Sequence, residues 1–307
     1  MSRGVKEYLS IVLKGVAMGA ADVVPGVSGG TIAFISGIYE DLLGAISNIN
    51  LRLLKVLKND GFKAAWQKIN GNFLAALFVG IFISIISLAK LIKHLLENEP
   101  ILLWSFFFGL VLASIIYIAK QISKWNIVTF LIVMASSFLA YYITTLNPLV
   151  SENTSLLYLF FAGAIAICAM ILPGISGAFI LVLLGAYKPV LTAVNDRDIK
   201  TIAAVGLGAI IGLLSFSKIL KWLFNNFKNY TLAALTGFII GSLNKIWPWK
   251  QTLTWRINSQ GIKVPFNQES VSPFSYYQDS QLAVATLLAV LGFVLILGME
   301  KFASKKK

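Results

Sequence analysis

Two short phrases hold the residues best suited to chemistry in this 307-residue chain. Pro25-Gly26-Val27-Ser28-Gly29 returns 148 residues on as Pro173-Gly174-Ile175-Ser176-Gly177. The register extends to Gly15/Gly163, Ala21/Ala169, Ile32/Ile180, Gly37/Gly185, Tyr39/Tyr187, Leu43/Leu191 and Ala45/Ala193. Each phrase interrupts an apolar segment. Proline ends the hydrogen bonding of a first arm, and glycine permits a change of direction. A second arm then begins near Ser28-Gly29-Gly30-Thr31 in one copy and near Ser176-Gly177 in the other. Such starts offer unpaired N–H donors, a positive dipole end and hydroxyls, which suit an anion and especially a phosphate. A plainer reading has the glycines easing tight packing and the serines capping helices. Duplication at matching depth favours the binding reading, since paired breaks in membrane helices point to a transporter's site.

Asp22 lies three residues before Pro25, and copy two has Met170 at that position. A charge at bilayer depth costs about 2.5–3.5 kcal/mol on insertion scales, so the carboxylate is protonated or partnered. Two roles stay open: a proton or cation coupling site, or a structural cap on the N–H groups around Ser28 and Gly29. Glu40 is the second candidate coupling acid, although Glu40 and Asp41 also read as solvated charges at a helix end.

The elements that must position these residues are membrane helices. The chain is 57% hydrophobic and 13% charged, against about 25% charged in soluble domains. Plain spans are expected near 72–92, 100–119, 126–146, 201–220, 231–247 and 281–299. The broken stretches are 8–47 and 156–194. Their arms of about 14 to 18 residues would be about 20–27 Å long, which suits a re-entrant hairpin or two short tilted spans. Stretch 48–71 carries Arg52, Lys55, Lys58, Lys63 and Lys68 among Leu53, Leu54, Leu57, Phe62 and Trp66, and reads as an amphipathic surface helix. Segment 248–279 is the one long polar loop, expected outside the cytoplasm. No cleavable signal peptide is expected before the first repeat.

The expected fold is an all-α polytopic membrane protein built as an inverted structural repeat. Residues 1–148 form the first half and 149–307 the second. Each half has one Pro/Gly-broken, re-entrant helix pair and three transmembrane helices. An odd number of crossings per half requires opposite insertion of the two halves. With the N-terminus in the cytoplasm, most of the 26 Lys and Arg fall on cytoplasmic segments, so both termini are placed inside. The net charge of +13 therefore reflects topology; no basic face with interleaved aromatics suggests nucleic acid.

Catalysis finds little support. His94 and Cys168 are the single histidine and cysteine, too few for a histidine-rich metal site or a Cys–His pair, and Cys168 cannot form an internal disulfide. No catalytic residue, metal or cofactor is expected. No Walker-type loop is present, so ATP is not the expected energy source.

Three stretches resemble the bacterial polyprenyl-phosphate transporters, the PopT-type family long known as a domain of unknown function. They are Gly19-Ala20-Ala21-Asp22-Val23-Val24-Pro25-Gly26-Val27-Ser28-Gly29-Gly30-Thr31 with Gly37-Ile38-Tyr39-Glu40; Ala169 to Gly177 with Gly185-Ala186-Tyr187; and Gly237-Phe238-Ile239-Ile240-Gly241-Ser242-Leu243-Asn244-Lys245-Ile246-Trp247-Pro248-Trp249. The resemblance implies a flippase in the bacterial cytoplasmic membrane. It would return undecaprenyl phosphate from the outer to the cytoplasmic leaflet for lipid-carrier recycling in cell-envelope synthesis. It places the phosphate head near Ser28, Gly29, Gly30, Thr31, Ser176 and Gly177, with Pro25, Gly26, Pro173 and Gly174 as hinges. The expected partners are the lipid, the bilayer and a coupling proton or cation. Two alternatives remain at this stage: a secondary transporter of a small anion, and a membrane enzyme acting on polyprenyl phosphates.

Overall fold

A computed structural model describes residues 3–24, 27–146, 155–257 and 263–304. The hinge residues Pro25 and Gly26, and the expected junction of the halves at 148, lie outside the described residues. The first half contains α1 (Val5–Val23), α2 (Gly29–Ile35), α3 (Tyr39–Ser47), α4 (Leu51–Lys68), α5 (Gly71–Asn98), α6 (Pro100–Ala119) and α7 (Ile127–Thr145). The second contains α8 (Leu156–Ile171), α9 (Gly177–Leu183), α10 (Tyr187–Asn195), α11 (Ile199–Asn226), α12 (Lys228–Ser242), a 3-10 turn (Leu243–Ile246), β1 (Lys250–Ile257), β2 (Lys263–Ser270) and α13 (Leu282–Ser304). The duplication of sequence is thus a duplication of element order. Helix α4 is peculiar to the first half and the β-hairpin to the second.

Three expectations need correction. The second arm of each broken stretch is not one helix. In both copies it divides at a left-handed glycine, Gly37 at φ 72° and Gly185 at φ 67°. The Gly37 and Ile38 N–H groups donate to the carbonyls of Phe34 and Ala33, and those of Gly185 and Ala186 to Val182 and Leu181. Both are Schellman endings, which demand a residue free to take positive φ. The 7-residue α2 and α9 are then about 10 Å long, too short to cross a bilayer. The span expected at 231–247 is a 15-residue α-helix ending at Ser242, followed by the 3-10 turn. The polar loop is not wholly irregular, since β1 and β2 pair antiparallel within it. Thr252, Thr254, Val264 and Phe266 supply the β-branched and aromatic side chains that favour strands.

Four close helix pairs build the body: α1 along α5, α8 along α11, α7 along α12 and α6 along α13. The first two pairs lie within a half, and the last two join the halves. Small residues make the approach close, as in membrane helix packing generally. Gly15 and Gly19 of α1 lie on the carbonyls of Leu77 and Ile81, and Gly80 lies on that of Val12. Gly163 meets Val205, while Gly208 and Gly212 meet Phe160 and Ala164. Gly237 and Gly241 face Val133, Ser136 and Ser137, and Gly109 and Gly292 face Ala289 and Phe106. Three of these glycine sets have a spacing of four residues, which keeps them on one helix face.

The outward faces are apolar. Phe78, Phe82 and Ile86 of α5, Phe130, Met134 and Phe138 of α7, and Leu287, Leu291 and Val294 of α13 are all exposed. Patches of this kind require lipid. Among the described residues, four helices are long and apolar enough to cross a membrane, and the α9–α10 pair, bent by 109°, is a further broken span or hairpin. The chain is a multi-pass membrane protein.

Gly208 and Gly206 are two residues apart on α11, but a Cβ at 208 would run into the Phe160 carbonyl whereas one at 206 meets nothing. Gly208→Leu should therefore cost roughly 1–3 kcal/mol by overpacking. Gly206→Leu should leave stability unchanged or raised. Melting of the two variants in detergent tests this; equal melting temperatures would refute the packing account.

Candidate functional site

The candidate site is where the two chain breaks meet. Helix α1 ends at Val23 with Val24 extended, and Ser28 is extended at the start of α2. Three donors at that start are satisfied internally. The Gly29 N–H donates to Asp22 Oδ1 at 2.7 Å, the Gly30 N–H to Ser28 Oγ at 3.1 Å, and the Thr31 N–H to the Ser28 carbonyl at 2.9 Å. Asp22 therefore fills the structural role that its sequence position left open, capping the segment that follows the break. Its residue is otherwise exposed, so one carboxylate oxygen is held while the side chain stays accessible.

Copy one reaches across to copy two through side chains. Ser28 Oγ donates to the Met170 carbonyl at 3.1 Å, and the Tyr39 hydroxyl donates to the Ile171 carbonyl at 3.1 Å. Thr31 Oγ1 accepts from the Gly174 N–H at 3.0 Å. Gly30 packs so close to the Met170 and Ile171 carbonyls that a Cβ would sit 3.0 and 2.8 Å from them. These carbonyls end α8, where helical partners run out, so the contacts satisfy backbone groups that the helix itself leaves unpaired.

Copy two is arranged differently. Leu172 is extended, Pro173 is buried and Gly174 takes φ +88° against Phe238, Ile239 and Ser242 of α12. Ser176 precedes α9 without the side-chain cap that Ser28 makes, and Met170 stands where copy one has its acid. Ser28 and Thr31 are each only 1% exposed, whereas Ser176 is half-buried and Ala178 is exposed. Of the six residues expected to cradle a phosphate, the structure thus brings Ser28, Gly29, Gly30 and Thr31 to the end of α8. It leaves Ser176 open to its surroundings beside the buried Gly177.

Glu40 lies apart from the breaks. It pairs with Lys228 of α12 at 2.8 Å, Asp41 pairs with Arg3 at 2.6 Å, and Lys14 Nζ donates to the Ser36 carbonyl at 2.7 Å. These exposed pairs add little stability each. They fasten the end of the molecule where Tyr39 and Phe34 pack on Phe224 of α11. Glu40 is there a tie between halves.

Two residues of the site carry no role in the sequence reading. Tyr39 makes one of the bonds between the breaks, and its match with Tyr187 was the available signal. Lys245, which the sequence reading names only within the stretch Gly237 to Trp249, lies with Nζ 4.3 Å from the Phe179 ring of α9. Among the described residues no cluster of three or more His, Cys, Asp or Glu could hold a metal. His94 contacts Asn98, and Cys168 Sγ donates to the Gly212 carbonyl.

The Asp22 cap has a measurable signature. Asp22→Ala leaves the Gly29 N–H without its acceptor and should lower stability by about 0.5–2 kcal/mol. Asp22→Asn retains an acceptor oxygen and should melt close to wild type. Equal losses in both variants would remove the cap as the cause.

Comparison with known proteins identifies relatives of the chain. A family model described as undecaprenyl phosphate translocase-like matches residues 18–264. A polyprenyl-phosphate transporter of Vibrio cholerae serotype O1 is 52% identical over 302 residues, covering 97% of this chain and 98% of that one. A polyprenyl-phosphate transporter of Staphylococcus aureus is 34% identical over 254 residues, covering 77% and 85%. No solved structure matches. The relatives are transporters rather than enzymes, and with such coverage on both sides the chain belongs to the undecaprenyl phosphate translocase-like family.

Proposed function

We propose that this protein moves undecaprenyl phosphate from the outer to the cytoplasmic leaflet of a bacterial cytoplasmic membrane, by alternating access between its two halves. One observation carries the reading: two of the three bonds joining the breaks have mirror partners 148 residues on, and only one set is made. Tyr39 bonds the Ile171 carbonyl and Ser28 the Met170 carbonyl. The mirror bonds would join Tyr187 to Val23 and Ser176 to Asp22, and neither is present among the described residues. Likewise α3 packs chiefly on α11 of the opposite half and lightly on its own half's α5, while α10 packs on its own half's α11. A duplicated protein closed at one copy and open at the other fits one state of a two-state carrier.

In this reading the halves are inverted repeats, the breaks are re-entrant tips, and both termini face the cytoplasm. Ser176 and Gly177 meet the phosphate in the state described here. Ser28, Gly29, Gly30 and Thr31 meet it in the opposite state, once their bonds to copy two have opened. The mostly apolar surround accommodates the isoprenoid chain. Asp22 is the residue through which a proton or cation would couple, because a phosphate approaching α2 must share the Gly29 N–H with its carboxylate.

The test is leaflet-resolved translocation of labelled undecaprenyl phosphate in proteoliposomes. Wild type should translocate it, and Ser28→Ala/Ser176→Ala should be slower by about tenfold. No protein-dependent translocation under any ion gradient would overturn the reading, and movement of inorganic phosphate alone would replace it with small-anion transport. In a Cys168→Ser background, oxidising Glu40→Cys with Lys228→Cys should stop translocation and reduction should restore it. An undiminished rate in the oxidised protein would exclude opening at α3. Asp22→Asn should flatten the dependence of rate on pH; an unaltered profile would sink the coupling role.

A further inference from the structure

We propose that Lys245 and Lys250 together form the receptor for the phosphate head, a phosphate monoester dianion, at the open break of copy two. The proposal rests on the lipid-phosphate reading above and names the cationic groups that reading lacks.

The two lysines are neighbours through the side chain of one and the backbone of the other. Lys250 Nζ donates to the Lys245 carbonyl at 2.5 Å and lies 4.7 Å from the centre of the Trp104 ring. Lys245 Nζ lies 4.3 Å from the centre of the Phe179 ring. Aromatic faces attract cations but do not neutralise them. Among the described residues, neither lysine has a carboxylate partner. Glu99 accepts from the Gln281 side chain and Asp279 from the Gln281 N–H, while Glu269, opposite Gln251 in the hairpin, is exposed. Burial, with the neighbouring charge of Lys245 adding to it, pushes the Lys250 ammonium down to about 7. Two partly buried like charges without a counter-ion are costly unless something anionic visits them.

Surface lysines commonly snorkel from lipid toward water on mobile stems. These two are instead set in a rigid frame. Trp247 Nε1 donates to the Val271 carbonyl and Trp249 Nε1 to the Ser280 carbonyl, each at 2.9 Å. Ser270 Oγ donates to Asn244 Oδ1 at 2.9 Å, and Trp247 packs on Phe108 and Trp249. The frame joins the 3-10 turn to the hairpin, α6 and the start of α13.

Position supplies the link to the substrate. Phe179 is three residues beyond Ser176, the half-buried serine of the open break, and Gly174 of that break packs on the last turn of α12. The next turn carries Lys245. A dianion fits two cations in charge, and ammonium-to-phosphate bonds are among the stronger polar contacts. The rings of Phe179, Trp104 and Trp247 give the isoprenoid beside it an apolar wall.

The experiment uses the full chain in nanodiscs of zwitterionic lipid, with farnesyl monophosphate, inorganic phosphate and farnesol as probes and tryptophan fluorescence as readout. Lys245→Gln and Lys250→Gln should each weaken farnesyl monophosphate binding about tenfold, and Lys245→Arg should restore most of it. A second measurement needs no variant: in the wild type, farnesyl monophosphate should slow acylation of Lys245 and Lys250 by an amine-reactive ester, read by peptide mass spectrometry. Gln variants that melt normally and bind as wild type, or lysines left unprotected by bound ligand, would overturn the receptor. Equal protection by inorganic phosphate would overturn the lipid assignment. A wild type that binds and translocates lipid phosphate regardless would leave the transport reading standing; one that does neither would reject that reading instead.

Discussion

Hydrocarbon offers no partner for a backbone N–H or C=O, and this constraint shapes the centre of the molecule. A helix broken at bilayer depth exposes such groups, each worth several kcal/mol if left unpaired. The protein answers by setting one break against the other. Ser28 and Tyr39 bond the carbonyls that end α8, Thr31 bonds the Gly174 N–H, and Asp22 bonds the Gly29 N–H. The break of copy two is thus partly satisfied by side chains of copy one, while copy one caps its own. The same bonds join copy one to copy two, so satisfying the backbone and holding the halves together are one task.

Around that centre the scaffold is built for close approach. Glycines in each of the four main pairs bring backbones near enough to exclude intervening side chains. The resulting body is stiff where helices run side by side and divided where Gly37 and Gly185 end the short helices. Stiff pairs joined through short segments suit rigid-body motion better than continuous deformation.

Much of this was legible from residue order. The offset of 148 carried the duplicated element order, and apolar run length carried most of the spans. The break motifs marked the segments that now lie at the junction of the halves. Other features were hidden for physical reasons. Gly37 and Gly185 were visible as aligned glycines, but a positive φ is a property of the backbone. The span expected at 231–247 stops at Ser242 because the last apolar residues, Leu243 to Ile246, take a 3-10 turn instead. The hairpin escaped notice because Ser, Gln and Asn dominate its composition and mask the alternation of Thr252, Thr254, Val264 and Phe266. Asp22 showed in sequence as an anomaly; only coordinates show which N–H it meets. Lys245 looked like one cation among many, since its significance depends on a helix 66 residues earlier in the chain.

The pairing of α6 with α13 and of α7 with α12 has a consequence for how the protein is made. Synthesis delivers the first half before the second, and folding usually proceeds with it. Helices α1 and α5 can associate as soon as both are inserted. Helices α6 and α7 cannot, because their partners are encoded in the last 80 residues. Between those events two membrane helices wait with glycine-bearing or serine-bearing faces open to lipid or to an insertion chaperone. The halves are therefore repeats in sequence but not independent in biogenesis: the first cannot finish packing until the second has arrived.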